Sequence, residues 1–287
     1  MAKDAPQAGT NRPRLALHVP EPPARPGEEA DYSHIPIPAA GAQPRPDEAG
    51  PASDTWPLCS DMIRVLGDDN QAHGPWDPRL SPDKMREILR TMALVRAFDG
   101  RMYRAQRQGK TSFYLKCSGE EATSVAATLA LDFEDMIFPS YRQQGCMIAR
   151  GYPILEMVNQ IYSNRADKLK GRQLPILYSA ASVNFFTISG NLGTQLPQAT
   201  GFAMASAMKG DSKIAAGWVG EGATAEGDFH AALIFAAVYN APVVFNVINN
   251  QWAISSFSGI AGAERATFAA RAIGSPSGHD SFSLAPR

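Results

Sequence analysis

The strongest periodic signal in the chain begins at Ser81. Met85, Ile88, Leu89, Met92, Val95, Phe98 and Met102 recur at steps of three and four, the spacing of one helix face. Ser81 has N-cap chemistry. Pro82 suits the first helical position because its missing N–H is one a helix leaves unbonded anyway, and Asp83 puts negative charge in the first turn. Gly109 closes the pattern, which predicts a long amphipathic helix over 81–109. A second helix is expected over 120–131. Met136-Ile137-Phe138 reads as a short buried strand that ends at Pro139-Ser140-Tyr141-Arg142. Residues 193–208 read as a helix whose Ala and Gly content allows close packing. A strand over 214–219, a helix over 225–239 and a strand over 243–248 follow. Strands alternating with helices imply an α/β fold, a parallel sheet flanked by helices.

The texture differs before residue 80. Twelve of the 22 prolines lie within the first 57 residues, with no apolar period between them. This region reads either as a disordered tail or as an extended arm that orders against a partner; Leu15-Ala16-Leu17 and Ile35-Pro36-Ile37 suit the second. The chain therefore divides into a Pro-rich arm over 1–79, an α/β domain over 80–272 and a divergent segment over 273–287.

Composition narrows the classes. In 287 residues, 44% are hydrophobic and 19% charged, enough for a large core without disulfides or metals. The net charge of −1 gives no electrostatic footprint for nucleic acid or an anionic membrane. Cys59, Cys117 and Cys146 are too few and too widely spaced for a disulfide framework or a four-cysteine zinc site, and they fit a reducing compartment. The most apolar stretch, 231–248, is interrupted by Asn240, Pro242 and Asn246, as a helix followed by a strand would be. The N-terminus lacks the apolar run of a secretory signal. A soluble, cytoplasmic protein without nucleic-acid or membrane partners is expected.

The residues that carry chemistry follow two successive strands: Gly220-Glu221-Gly222 after the first, Asn249-Asn250 after the second. Both loops fall at carboxyl ends of strands in one βαβ unit, where open α/β sheets bind ligands. Thr224 is placed to cap the intervening helix, whose N-terminus would favour a phosphate. Gly220-x-Gly222-x-x-Ala225 also fits a dinucleotide fingerprint. Two features count against that. No Asp or Glu lies between Asp228 and Glu264 to hold a ribose, and Glu221 would point a carboxylate at a pyrophosphate. A magnesium ion removes the conflict, since it takes oxygen ligands from one or two protein groups and from phosphates. Glu221 and the Asn250 amide oxygen would be those groups, with a backbone carbonyl near Trp252 as a third.

This signature resembles that of thiamine diphosphate enzymes. The stretch GEGATAEGDFHAALIFAAVYNAPVVFNVINNQWAIS is similar to the alpha subunit of the decarboxylating component of 2-oxo acid dehydrogenase complexes. FPSYRQQG from Phe138, KGRQLP from Lys170 and FFTISGNLGTQLPQA from Phe185 resemble the branched-chain alpha subunits more than the pyruvate ones, and LALHVPEPPARPG looks like the arm of bacterial members. The resemblance covers roughly 80–271.

It implies a thiamine diphosphate-binding fold, incomplete at the C-terminus, and the following roles. Glu221, Asn250 and the Trp252 carbonyl would hold magnesium. Tyr141 and Arg142 would contact the diphosphate, the guanidinium forking onto phosphate. Gly190, Asn191 and Leu192 match the turn lying against the cofactor, with Leu192 helping to keep it bent. Gly222 and Ala223 match backbone contacts to the diphosphate. Ser189, Thr194 and Gln195 resemble a monovalent-cation site, K⁺ in kind, although ordinary helix capping explains them almost as well. The implied reaction is oxidative decarboxylation of a branched-chain 2-oxo acid, with acyl transfer to a lipoyl acyltransferase component. The implied assembly is an alpha2-beta2 heterotetramer in which a beta subunit supplies the activating carboxylate. A pyruvate or acetoin dehydrogenase alpha subunit, or an inactive chain that only binds a beta subunit, are the rivals.

His230 reads as a packing or surface residue. Cys117 and Cys146 read as small apolar residues. Glu120-Glu121 opens a helix in a stretch that the family places near the active-site channel, and neither receives a role. Two departures from the family pattern stand out. Ile248 occupies the position before the Asn pair where many relatives have Arg. After Ala272 the sequence IGSPSGHDSFSLAPR does not match the expected His-containing loop; His279 is its only histidine, so no catalytic residue is assigned. A frameshifted or truncated end is the expectation.

Overall fold

The computed structural model of the protein describes residues 24–257, apart from 30, 34, 48 and 60. The readings that concern His279, the segment 273–287 and the first 23 residues fall outside the described residues. From Ala24 to Arg79 the described chain has no α-helix. It holds itself by local turns and a few long contacts, such as Gly41 N–H to Arg64 O at 2.8 Å and Trp76 Nε1–H to Pro44 O at 3.2 Å.

The first α-helix, α1, spans Pro82–Arg107. Ser81 caps it as the sequence suggests, its hydroxyl accepting from Lys84 N at 3.2 Å. Val95, Phe98 and Met102 are buried in the main core. Met85 and Leu89, on the same expected face, are exposed, while Ile88 between them packs against the core. α2 spans Glu121–Leu129 and the first strand, β1, Met136–Phe138. α3 (Gln144–Ala149), α4 (Ile154–Ile161) and α5 (Gln195–Lys209) precede β2 (Ala215–Gly220). α6 (Gly227–Val238) leads to β3 (Val243–Ile248), and a short hairpin of β4 (Trp252–Ala253) and β5 (Ser256–Phe257) follows.

β1, β2 and β3 form one parallel sheet in that order, pairing Met136 with Ala215 and running from Ala215–Val243 to Gly220–Ile248. All three strands therefore end at the same edge, at Phe138, Gly220 and Ile248. The sheet lies between two layers of side chains. On one side α5 approaches through small residues: Ala199 and Ala203 are fully buried, and a Cβ on Gly217 would stand 3.0 Å from Leu196 Cδ2. The Ala- and Gly-rich composition of α5 is thus what lets the helix sit close to β2. Gly193, at φ +88°, makes the turn that starts α5, a conformation that side-chain-bearing residues rarely adopt. On the other side Trp218, wholly buried, packs in a core with Ile137, Met147, Met157, Tyr178 and Phe185.

Asp99 is the polar centre of that core. It accepts from Tyr114 Oη–H at 2.6 Å, Cys117 N–H at 2.7 Å and Gln144 Nε2–H at 2.8 Å, fastening the loop before α2 to α1 and α3. Cys117 and Cys146 are fully buried, and burial pushes the Cys146 thiol up to about 12, which keeps it protonated and inert. Among the described residues no helix is long and apolar enough to cross a membrane.

Candidate active site

A cleft of ≈ 530 Å³ opens at the carboxyl edge of the parallel sheet. Five separate stretches build it. The loop entering α2 brings Leu115 and Glu120, and the loop after β1 brings Ser140, Tyr141, Arg142 and Gln143. The turn into α5 brings Leu192, Gly193 and Gln195. The loops after β2 and β3 bring Glu221, Gly222, Ala223, Asn250 and Trp252. Residues far apart in sequence meet because parallel strands deliver their following loops to one side.

Between β2 and α6 the chain makes a 3-10 turn over Glu221–Ala225, and α6 starts only at Gly227 with Glu226 as its cap. Thr224 is therefore not the helix cap that the sequence suggests. Its hydroxyl is buried and donates to Glu221 O at 2.6 Å, closing the 3-10 turn instead. Gly222 and Ala223 of that turn line the cleft together with Glu226, the cap of α6. Gly222 is required by contact: a Cβ there would stand 2.5 Å from Ala253 Cβ, on the hairpin that walls the cleft.

Glu221 is 9% exposed, and its Oε1 has no hydrogen-bond partner. Burial pushes its carboxyl above the ordinary 4.5; nearby Glu120 adds to the rise, while backbone N–H groups at Glu221 and Asn250 and the Arg142 guanidinium oppose it. A buried carboxylate oxygen left without a partner costs stability, so such a group marks a place for a positive ligand. Arg142 also keeps a buried, unpartnered Nε, and its guanidinium carbon lies 5.6 Å from the centre of the Tyr141 ring. Among the charged residues that line the cleft, Glu120, Glu221 and Glu226 face one guanidinium. A polyanion entering this cleft needs a cation with it.

Asn250 sits where its amide is used on both sides. Nδ2–H donates to Glu120 Oε1 at 2.9 Å, and Oδ1 accepts from Trp252 N–H at 3.0 Å. Ile248 contributes an apolar wall in the position where an Arg was expected.

The structure thus brings Tyr141, Arg142, Leu192, Gln195, Glu221, Gly222, Ala223, Asn250 and Trp252 to one cleft. Ser189, Gly190, Asn191 and Thr194 lie in the adjoining turn and not on its lining. There Ser189 Oγ accepts from Asn191 N–H, and Thr194 Oγ1–H donates to Asn191 O, both at 3.0 Å. Gln195 Nε2–H donates to Trp218 O at 2.6 Å, tying the start of α5 to the central strand. His230 lies on α6 against Phe229, away from the cleft lining. Glu120 is the lining residue that sequence reasoning passed over. One carboxylate suffices for the start of α2, and Glu121 fills that place. It is bound to Arg96, with Nη2 to Oε2 at 2.9 Å, and to Gly119 N–H. The second consecutive acid was the available signal.

With this geometry in hand, comparison with known proteins assigns the class. A family profile described as "Dehydrogenase E1 component" matches residues 89–277, and the chain belongs to that family. A second profile, "2-oxoisovalerate dehydrogenase E1 alpha subunit N terminal", matches residues 13–53. More particularly, the chain is similar to the 2-oxoisovalerate dehydrogenase subunit alpha of Pseudomonas aeruginosa, 55% identical over 91% of this chain and 63% of that protein. It is 47% identical to subunit alpha 1 of the mitochondrial enzyme of Arabidopsis thaliana, over 67% of this chain and 41% of that one. It is 40% identical to the human mitochondrial subunit, over 68% and 44%. The chain spans less than two thirds of the length of each of these relatives.

Proposed function

We propose that the chain is an alpha subunit of a cytoplasmic branched-chain 2-oxo acid dehydrogenase. The reaction is oxidative decarboxylation of a substrate such as 3-methyl-2-oxobutanoate, with acyl transfer to a lipoyl acyltransferase. The observation that carries the reading is the pairing of an orphaned Glu221 oxygen with an orphaned Arg142 nitrogen in one cleft, on a chain 55% identical to a 2-oxoisovalerate dehydrogenase subunit alpha.

The family implies thiamine diphosphate, and these residues suit it. Arg142 offers an unpaired donor to the diphosphate, and Gly222 and Ala223 bring the backbone of the 3-10 turn to the same cleft. Glu221 and the free lone pair of Asn250 Oδ1, with the Trp252 carbonyl, would hold the magnesium that offsets three carboxylates. Leu192, 42% exposed at the cleft mouth, offers an apolar prop for the ring system, and Tyr141 a flanking aromatic face. Gly190 and Asn191 support that turn from behind. The cofactor, when bound, supplies the electron sink for loss of carbon dioxide. This chain's own work is to bind and orient it and to shed water from its diphosphate. K⁺ at Ser189, Thr194 and Gln195 rests on the resemblance alone.

A beta subunit in an alpha2-beta2 assembly would complete the site. Among the described residues the cleft lining holds no histidine, and in this reading the Glu221 carboxylate serves the cation rather than the cofactor ring. The test is to combine the chain with a beta subunit and follow thermal unfolding and turnover. Thiamine diphosphate with magnesium should raise the melting temperature, since a ligand at a hundred times its Kd adds about 2.7 kcal/mol. NAD should not. Branched 2-oxo acids should be decarboxylated in preference to pyruvate. Protection by NAD alone, or a preference for pyruvate, overturns the proposal.

A further inference from the structure

Glu120 is not needed where it stands. Its neighbour Glu121 already binds Arg96 and Gly119 N–H, and Glu120 itself makes no side-chain cap to α2. A third carboxylate in a cleft meant for a diphosphate should weaken anion binding, yet this one is largely covered, its side chain 12% exposed. Its contacts give it a purpose. Oε1 accepts from Asn250 Nδ2–H at 2.9 Å and faces Arg142 Nη1 at 3.4 Å. One oxygen thereby joins the loop after β3 to the loop after β1.

The chemistry of the amide makes this contact directional. A carboxylate accepts and never donates, so Glu120 can hold only the NH₂ end of Asn250. The Trp252 N–H, a donor, holds the oxygen end. Together they fix which end of the amide is which and leave Oδ1 one lone pair. An amide turned over would present NH₂, a donor, to the cation. The backbone behind Glu120 is equally fixed: Asp99 accepts from Cys117 N–H, and Glu120 N–H donates to Cys117 O at 2.8 Å.

We propose that Glu120 is a positioning residue that sets the Asn250 amide with its oxygen available to the divalent cation and holds the Arg142 loop against it. The inference rests on the cofactor reading above, and the experiment separates the two. Chain and beta subunit are titrated with magnesium at saturating thiamine diphosphate, and with thiamine diphosphate at saturating magnesium, by calorimetry and by tryptophan fluorescence. Glu120→Ala loses the acceptor and should raise the half-saturating magnesium concentration about tenfold, the loss expected for one charge-assisted hydrogen bond. Glu120→Gln keeps an acceptor for Asn250 Nδ2–H while losing the charge opposite Arg142, so it should recover most of the magnesium affinity. Inorganic pyrophosphate without metal should bind both variants at least as tightly as wild type, since a carboxylate near the anion is gone. A merely structural role would lower all three affinities together. If wild type shows no magnesium-dependent binding, the cofactor reading fails. If wild type binds and Glu120→Ala keeps its magnesium half-saturation, the positioning role fails and the cofactor reading stands.

Discussion

Replacing Glu221 by Gln should make the metal-free protein more stable while disabling the site. The carboxylate has one buried oxygen with no partner, and its proton affinity is raised chiefly by burial. An unpaired buried polar group costs ~1–3 kcal/mol, and because Gln keeps a polar amide we take the low end, about 1 kcal/mol. For a chain of this size that is a rise of about 2–4 °C in melting temperature. The sign with pH follows from the direction of the shift. In the unfolded chain Glu221 ionises near its ordinary 4.5, and in the folded one only at higher pH. Wild type therefore loses stability as pH climbs from that value through the raised folded one, and the deficit is constant above it. Gln does not titrate. The gap between variant and wild type should be near zero in acid and open toward neutral pH. Differential scanning fluorimetry in a chelating buffer, at about pH 5 and about pH 8, reads both ends. Calorimetry with magnesium and thiamine diphosphate should show weakened binding in the same variant. A variant that melts at or below wild type at about pH 8 without metal would refute the burial argument. Unchanged magnesium-dependent binding would refute the metal assignment.

Gly222→Ala forces a Cβ to within 2.5 Å of Ala253 and should destabilise by ~1–3 kcal/mol, the range for overpacking. The double variant Gly222→Ala with Ala253→Gly removes the clashing methyl and should restore most of the melting temperature; no restoration sinks the contact argument. Arg96→Met strips the partner from the buried Glu121, whose carboxyl the Arg96 hydrogen bond holds below the ordinary 4.5. The stability that pair contributes is present above that value and fades in acid, so wild type and variant should melt further apart at neutral pH than at low pH, as circular dichroism would show.

The parts of the molecule visible in the sequence are those written in local chemistry. Ser81, Pro82 and Gly109 bracket α1 because capping and left-handed turns depend on neighbours alone. The strand 243–248 emerged as read because an apolar run bounded by Pro242 and Asn249 permits little else. The cleft residues after β2 and β3 were legible because a βαβ unit puts both loops at one edge. Thr224 misled because a cap and a 3-10 closure use the same hydroxyl, and only the position of Glu226 decides between them. The second acid of Glu120-Glu121 was a signal, but its role was hidden, since its partners, Arg142 and Asn250, are 22 and 130 positions away. Met85 and Leu89 show the converse limit: helical periodicity names a face, but not how wide a stripe of it is covered, since Leu89 is exposed beside a packed Ile88.

The interlock of Gly222 with Ala253 also has a consequence in time. During synthesis the chain leaves the ribosome from its N-terminus, so the stretches carrying Leu115, Arg142 and Leu192 emerge long before the hairpin. The three-stranded sheet cannot close until β3 appears, and the last wall of the cleft, Trp252 to Ile254, comes after β3. Every earlier nascent chain lacks Asn250 and the surface that Gly222 fits. A growing chain therefore has no completed pocket until the hairpin has followed β3 out.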